Sequence, residues 1–179
     1  GEGKRGRPPK LLSLNSNYGE AIGINLQRNN IEFAVLDFCG VIKYKKLITY
    51  KKEFDDNLFI EMIKEEIKNS GTKIHNKKFF GVGICLPGII EINGDKILEL
   101  PNFPKWRDVK LKSKLQKSLG IENILIDNTV RATAMGEKLL GIGKELKDFI
   151  YVYVADGVGA SYCWNENIYH GSFHAAIEF

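Results

Sequence analysis

A short polar stretch, Asp127-Asn128-Thr129, stands between a predicted strand and a predicted helix, and its side chains could act on a bound hydroxyl group. A carboxylate can accept a proton, whereas a threonine hydroxyl has no protonation equilibrium near neutral pH. If Asp127 continues the strand, however, it points to the face opposite Asn128. Asn128 offers a donor and an acceptor to a ligand, and an asparagine directly before a helix ordinarily caps it. The two roles can coexist.

Other turns combine glycine or asparagine with a neighbouring proline or glycine. Gly88 follows Pro87, Asn102 follows Pro101, and Gly157-Val158-Gly159 joins two predicted strands. A glycine lets the backbone approach a ligand closely, but glycine and asparagine are also common turn residues. A Gly-x-Gly sequence alone is weak evidence for phosphate binding.

The cysteines and histidines indicate neither a disulfide framework nor a zinc site within this chain. The cysteines are far apart, odd in number and set in apolar surroundings, which favours reduced, packed thiols: Cys39, Cys85 and Cys163. The histidines show no metal-ligand spacing with them: His75, His170 and His174. We expect no metal ion and no cofactor in this part of the protein.

Composition is that of an ordinary globular protein, with 44% hydrophobic and 27% charged residues. The 179 residues suffice for one complete lobe and part of a second. Apolar runs are shorter than the roughly 18 residues of a membrane span. The N-terminus lacks the succession of charged, apolar and small residues that forms a signal peptide. We therefore expect a cytoplasmic protein without membrane contact.

The net charge of +4 is concentrated in the first ten residues, which carry four basic side chains against Glu2. The rest of the chain is nearly neutral, which disfavours a broad nucleic-acid surface on the folded part. The arm itself contains glycine, proline and charge but almost nothing apolar, so it cannot build a core. We expect a linker at residues 1–16.

Hydrophobic periodicity predicts an α/β fold in which three antiparallel strands precede alternating helices and strands. The predicted strands are Ala21–Leu26, Ile31–Phe38, Val41–Tyr50, Phe79–Leu86 and Asn123–Ile126, with a small hairpin in Ile89–Leu98. The predicted helices are one capped by Asp55 or Asp56 and ended by Gly71, then Val109–Leu119 and Thr129–Leu140. A new sheet follows Lys144, with strands at Phe149–Ala155 and Ala160–Trp164. This order predicts a first lobe at 17–144 and the beginning of a second at 145–179.

Seven motifs, in this order and spacing, resemble the ROK family (repressor, open reading frame, kinase). They read GRPPKLLSLN, AIGINL, GVGICLPGII, LPNFPKW, IDNTVRATAMGEKLLGIGK, YVADGVGAS and GSFHAAIE. The resemblance implies a two-lobed, actin-like and ribonuclease-H-like fold. The opening linker is most similar to that of the xylose-repressor and N-acetylglucosamine-repressor branch, in which it joins a winged helix-turn-helix to the sugar domain. We expect such a DNA-binding module to precede this chain.

The resemblance also implies a site. Five residues match sugar-contacting positions: Gly88, Asn102, Asn128, Thr129 and Glu178. Thr129 stands where family kinases have an aspartate as general base, and Gly157 and Gly159 match a phosphate motif in degenerate form. Family kinases follow their first strand with an aspartate and a Gly-Gly-Thr-like turn, whose backbone N–H groups reach the phosphates unobstructed. Here that stretch is Asn25-Leu26-Gln27-Arg28-Asn29-Asn30, so we expect neither the cradle nor the base.

The function implied by the resemblance is the sugar-sensing part of a bacterial transcriptional repressor, which is not an enzyme. A mono- or aminosugar effector would bind between the lobes, and a homodimer would bind operator DNA through the preceding module. The family's zinc loop would follow Glu178, so a structural zinc is expected only there. Two alternatives stay open: a fragment of an ATP-dependent sugar kinase, and a scaffold that binds no ligand.

The basic arm adds a side hypothesis about DNA. Arg5-Gly6-Arg7-Pro8 resembles an AT-hook core, which lies extended in the minor groove of A·T-rich DNA, although most basic linkers are solvated spacers. If the arm contacts DNA, replacing both Arg5 and Arg7 by alanine in the full-length protein will weaken operator binding in fluorescence anisotropy at low salt. Unchanged affinity eliminates the hypothesis.

Overall fold

The computed structural model describes residues 12–51, 54–91, 94–101, 103–155 and 157–171. Its strands are β1 (Glu20–Leu26), β2 (Asn30–Asp37), β3 (Ile42–Thr49), β4 (Phe79–Leu86), β5 (Ile89–Ile90), β6 (Lys96–Glu99), β7 (Val109–Lys110), β8 (Ile124–Asn128), β9 (Phe149–Val154), β10 (Val158–Trp164) and β11 (Asn167–Ile168). Its helices are α1 (Asp56–Ser70), α2 (Leu111–Leu119) and α3 (Thr129–Leu140).

A five-stranded mixed sheet, in the order β3-β2-β1-β4-β8, forms the centre of the fold. The strands β1, β2 and β3 are antiparallel neighbours, whereas β4 and β8 run parallel to β1. Buried and half-buried residues alternate along β2, as expected for a strand with one face on the core. The parallel arrangement brings the carboxyl ends of β1, β4 and β8 to the same edge of the sheet, where the candidate site lies.

The helices α1 and α2 cover one face of this sheet and share its core. Asp55 caps α1 by accepting the N–H of Leu58 at 2.8 Å, and Gly71 ends the helix in a left-handed conformation with φ 72°. The apolar side chains of α1 and α2 are buried against the strands: Phe59, Ile60, Ile63, Ile67, Leu111, Leu115 and Leu119. The predicted cap and end of the first helix are confirmed.

A small sheet, β5-β6-β7, corrects the predicted start of the second helix. The prediction of a helix from Val109 is wrong, because Val109 pairs with Ile97 in the strand β7 and α2 begins at Leu111. Val109 is partly buried against the core. An apolar β-branched residue just before a helix fits both the helical and the strand periodicity, so the sequence pattern does not fix where the helix begins. The hairpin predicted within Ile89–Leu98 is confirmed by the pairing of β5 with β6, and residues 92 and 93 of that range lie outside the described residues.

An aromatic cluster, Phe54, Phe59, Phe103 and Trp106, joins α1 to the loop that follows β6. Trp106 is wholly buried, stacks on Phe54 with 5.7 Å between ring centroids, and donates its Nε1–H to the Phe54 carbonyl at 3.2 Å. Phe59 meets Trp106 edge-on at 5.4 Å, and Phe103 lies 5.8 Å from Trp106. Since these residues come from distant segments, the cluster fixes the loop before Trp106 to the main core.

The strands β9, β10 and β11 form a separate three-stranded sheet, as predicted for the chain after Lys144. The register of β9 against β10 runs from Phe149 opposite Cys163 to Val154 opposite Val158. This sheet packs on α3 through a small buried cluster: Ala134, Cys163 and Ile168. The division into lobes at residue 144 stays a prediction.

The order of elements confirms the α/β class, since three antiparallel strands precede helices that alternate with parallel strands. Within the described residues, the helices are too short or too polar to cross a membrane. Three parts of the fold therefore lie near one another: the carboxyl ends of β1, β4 and β8, the start of α3, and the β9–β10 hairpin.

Phe59 provides a test of the core. Replacing it by alanine will lower the free energy of unfolding by about 3–5 kcal/mol, because a fully buried aromatic ring leaves a cavity at the helix–sheet contact. Leu58→Ala, at the adjacent and 45% exposed position of the same helix, is the matched control and should change stability by less than about 0.5 kcal/mol. Urea unfolding followed by circular dichroism measures both, and equal losses would contradict the assigned burial.

Candidate functional site

The side chain of Asn128 links the end of β8 to the start of α3 and to the turn after β4. Its Oδ1 accepts hydrogen bonds from the N–H groups of Val130 at 2.7 Å and Arg131 at 3.4 Å, which is the N-cap arrangement. Its Nδ2 donates to the carbonyl of Gly88 at 3.0 Å, and the residue is only 3% exposed. The predicted cap role is therefore present, and the same amide ties two predicted site residues together.

A cavity of about 510 Å³, which we name the α3 cavity, opens at the N-terminus of α3. It is lined by Leu26, Gln27, Arg28, Pro87, Gly88, Pro101, Asn128, Thr129, Val130, Tyr153, Ala155, Gly157, Val158 and Gly159. Five of the predicted site residues are thus brought together: Gly88, Asn128, Thr129, Gly157 and Gly159. Four others lie outside the described residues: Arg5, Arg7, Asn102 and Glu178.

Thr129, the first residue of α3, stands where the resemblance places the general base of family kinases. It is 6% exposed, and its Oγ1 lies 3.5 Å from Asn25 Oδ1 at the end of β1. Among the described residues that line the α3 cavity there is no aspartate or glutamate. A hydroxyl group bound beside Thr129 can exchange hydrogen bonds with it, but the described wall offers no carboxylate to remove a proton.

Asp127 lies on the face of the central sheet opposite to that of Asn128, as the alternation of side chains along a strand predicts. It lines a second concavity of about 480 Å³, the sheet groove, together with Gly23, Gly83 and Cys85. Its Oδ1 accepts from Arg131 Nε at 2.8 Å and lies 2.6 Å from Arg131 Nη2. Burial, with a contribution from the charge of Asp127, raises the pKa of the Cys85 thiol to about 11, so this thiol stays protonated.

The turn between β1 and β2 is closed and polar, as predicted. The Gln27 N–H donates to the Asn30 carbonyl at 2.9 Å. The side-chain amides of Asn25 and Gln27 both donate to Glu32 Oε2, at 3.3 Å and 3.4 Å. The turn therefore carries long side chains where the resemblance places a phosphate cradle of bare backbone N–H groups.

Two of the glycines have packing reasons for lacking a side chain. A Cβ on Gly88 would lie 2.3 Å from the Glu99 carbonyl oxygen, and a Cβ on Gly159 would lie 3.0 Å from Val130 Cγ2. Gly157, by contrast, has nothing within 4 Å of such an atom. Close packing against backbone thus accounts for Gly88, and the Val130 methyl group crowds Gly159, whether or not a ligand also approaches them.

Sequence reasoning missed Arg28, Pro101 and Tyr153 as wall residues of the α3 cavity. Arg28 and Gln27 were considered only as obstacles to phosphate. A usable signal existed, because parallel β1 and β4 must place the turn after Leu26 beside Pro87. Within the described residues, no group of three or more His, Cys, Asp or Glu side chains could hold a metal ion.

The amino-acid sequence of this chain is similar to that of a curated protein described as a repressor. A putative xylose repressor from Caldicellulosiruptor sp. (strain Rt8B.4) is 36% identical over 177 residues, which cover 96% of this chain and 43% of that protein. The chain thus spans less than half the length of this curated relative.

Two solved structures share the fold, which confirms the predicted actin-like fold class. The ROK family transcriptional regulator described as a homolog of the E. coli MLC protein superposes with a TM-score of 0.78 at 18% identity, covering 92% of this chain and 41% of that chain. A ROK family glucokinase from Streptomyces griseus, in complex with glucose and AMPPNP, gives a TM-score of 0.77 at 24% identity, covering 90% and 49%. Residues 21–179 match the sequence profile of the ROK family, and the chain therefore belongs to the ROK family.

Proposed function

We propose that this chain is the sugar-sensing part of a bacterial ROK-type transcriptional repressor and that a mono- or aminosugar binds in the α3 cavity. The observation that carries the proposal is the convergence of Gly88, Asn128 and Thr129 on a cavity whose described wall contains no carboxylate. Similarity to a putative xylose repressor at 36% identity supports the regulatory role. The sites at Asn102 and Glu178 remain part of the proposal.

The chemistry of the α3 cavity suits a sugar. Its volume of about 510 Å³ lies within the range typical of small-molecule sites. Thr129 supplies a hydroxyl that can both donate and accept, and Arg28 supplies guanidinium N–H donors. Pro101 and Tyr153 supply apolar surface for the C–H groups of a pyranose ring. Such a wall favours binding of a polyhydroxylated molecule.

The same wall is poorly suited to phosphoryl transfer, so we infer that the protein is not a kinase. The turn at Gln27–Asn30 carries long side chains where family kinases have a phosphate cradle, and the Gln27 amide is hydrogen-bonded to Glu32. Asp127, the nearest aspartate in sequence to Asn128, faces the sheet groove and is paired with Arg131. Both a phosphate cradle and a general base are needed for that chemistry.

The proposed signal is a shift between two arrangements of the parts that form the cavity. Gly157 and Gly159 come from the β9–β10 hairpin, whereas Gly88 and Asn128 come from the carboxyl ends of β4 and β8 in the central sheet. A sugar that contacts both favours the arrangement in which both contacts are made, by its differential affinity. In the proposed homodimer this shift alters the spacing of the preceding DNA-binding modules on operator DNA. We also propose that a structural zinc ion is bound by the part of the protein that follows Glu178.

The rival function is that of a sugar kinase. The fold is compatible with it, since the Streptomyces griseus glucokinase superposes with a TM-score of 0.77. At 24% identity this likeness concerns the fold alone. A functional assay on the full-length protein separates the two.

Full-length protein titrated with xylose, glucose and N-acetylglucosamine in a calorimeter will bind at least one of them, and incubation of that sugar with ATP and Mg²⁺ will yield no sugar phosphate. Binding follows from the convergent polar groups, and the lack of turnover follows from the missing cradle and base. Transfer of phosphate to any of the three sugars would establish the kinase instead. Absence of binding to all three would favour a scaffold that senses no sugar.

Thr129→Val will weaken binding of that sugar by about 1 kcal/mol, or about fivefold in Kd, because one hydrogen-bonding hydroxyl is removed from the wall at nearly constant volume. Thr133→Val is the matched control, since its hydroxyl bonds the Thr129 carbonyl one turn further along α3 and does not line the cavity. Calorimetry on both variants measures the difference. Equal affinities would remove Thr129 from the site.

A further inference from the structure

Tyr50, directly after β3, holds the turn that forms one wall of the α3 cavity. Its hydroxyl donates a hydrogen bond to the carbonyl of Gln27. Its backbone N–H donates to the carbonyl of Asn29 at 3.4 Å. The turn at Gln27–Asn30 is therefore bonded twice to one residue that is itself absent from the cavity wall.

The ring of Tyr50 reaches a second wall of the same cavity through the aromatic cluster. It stacks on Phe54 with 3.8 Å between centroids and 18° between planes, and it lies 6.2 Å from Phe103. Phe103 donates its N–H to the Leu100 carbonyl at 3.0 Å, closing the short loop that carries Pro101 to the cavity. Phe54 and Phe103 are 4% and 5% exposed, so this side of the contact is part of the core.

We propose that Tyr50 is a positioning residue that fixes the Gln27–Asn30 turn relative to the Pro101 loop, and that sugar affinity depends on its hydroxyl. This inference rests on the proposed function of the α3 cavity. The two walls come from chain segments about seventy residues apart. A residue that holds them together before the sugar binds lowers the entropic cost of ordering them on binding. Tyr50 touches no ligand, so its effect passes through Gln27 and Phe103.

The bonding of Tyr50 is suited to a permanent brace. Burial raises the pKa of its hydroxyl above the ordinary value for tyrosine, so the group remains a proton donor at all working pH values. The acceptor is a backbone carbonyl, whose position does not change with side-chain rotamer. Arg28 is thereby presented to the cavity from a turn of fixed shape.

The test compares Tyr50→Phe with Tyr44→Phe in the full-length protein. Tyr44 is the matched control because it lies in β3 itself, is also half-buried, and donates its hydroxyl to Glu66, away from the α3 cavity. Each variant is titrated with xylose, glucose and N-acetylglucosamine, and its melting temperature is measured. We expect Tyr50→Phe to weaken binding of the sugar that the wild type takes by about three- to tenfold, and Tyr44→Phe to leave Kd unchanged.

A second readout does not require sugar. Hydrogen exchange at the Gln27 amide, which donates to Asn30 within the turn, should accelerate in Tyr50→Phe and stay unchanged in Tyr44→Phe. If Tyr50→Phe binds sugar as the wild type does, or if Tyr44→Phe weakens binding equally, the positioning role is overturned. If the wild type binds none of the three sugars, the proposed function fails, and the exchange rates alone decide whether Tyr50 holds the turn.

Discussion

The amide of Asn128 is the contact on which the arrangement of the site depends. One side chain accepts from the first N–H groups of α3 and donates to the Gly88 carbonyl, so it sets the helix against the turn after β4. The Asn128 side chain is buried, and a buried polar group that loses its partner costs about 1–3 kcal/mol. The start of α3 and the Pro87-Gly88 turn therefore form one rigid corner, and the α3 cavity opens beside it.

The parts of this corner that are local in sequence could be predicted. Asn128 is a cap because it directly precedes a helical repeat, and Asp127 faces the other side because side chains alternate along a strand. The ends of α1, at Asp55 and Gly71, follow from the same kind of rule. These features depend only on residues within a few positions of one another, so a local stretch of sequence is enough to predict them.

The parts that depend on strand order could not be predicted in the same way. The bond from Asn128 to Gly88 spans 40 residues, and it exists because β8 lies beside β4 in the sheet. Arg28 and Tyr153 reach the cavity for similar reasons, from a turn and a strand that no local pattern connects to Asn128. At Val109 the local pattern was itself ambiguous, and pairing with Ile97 decided in favour of a strand.

The same fold occurs in a ROK family transcriptional regulator and in a ROK family glucokinase, so the fold alone does not decide between sensing and catalysis. Binding a sugar requires groups that complement its hydroxyls in the ground state, whereas phosphoryl transfer also requires groups that act only in the transition state. A hydroxyl at Thr129 has the donor and acceptor that the first requirement calls for, but it cannot act as the general base that the second requires. In the proposed sensor this loss is useful, because a bound sugar that is never converted leaves only by dissociation. The occupancy of the cavity then reports the concentration of sugar, which is the quantity a repressor must measure.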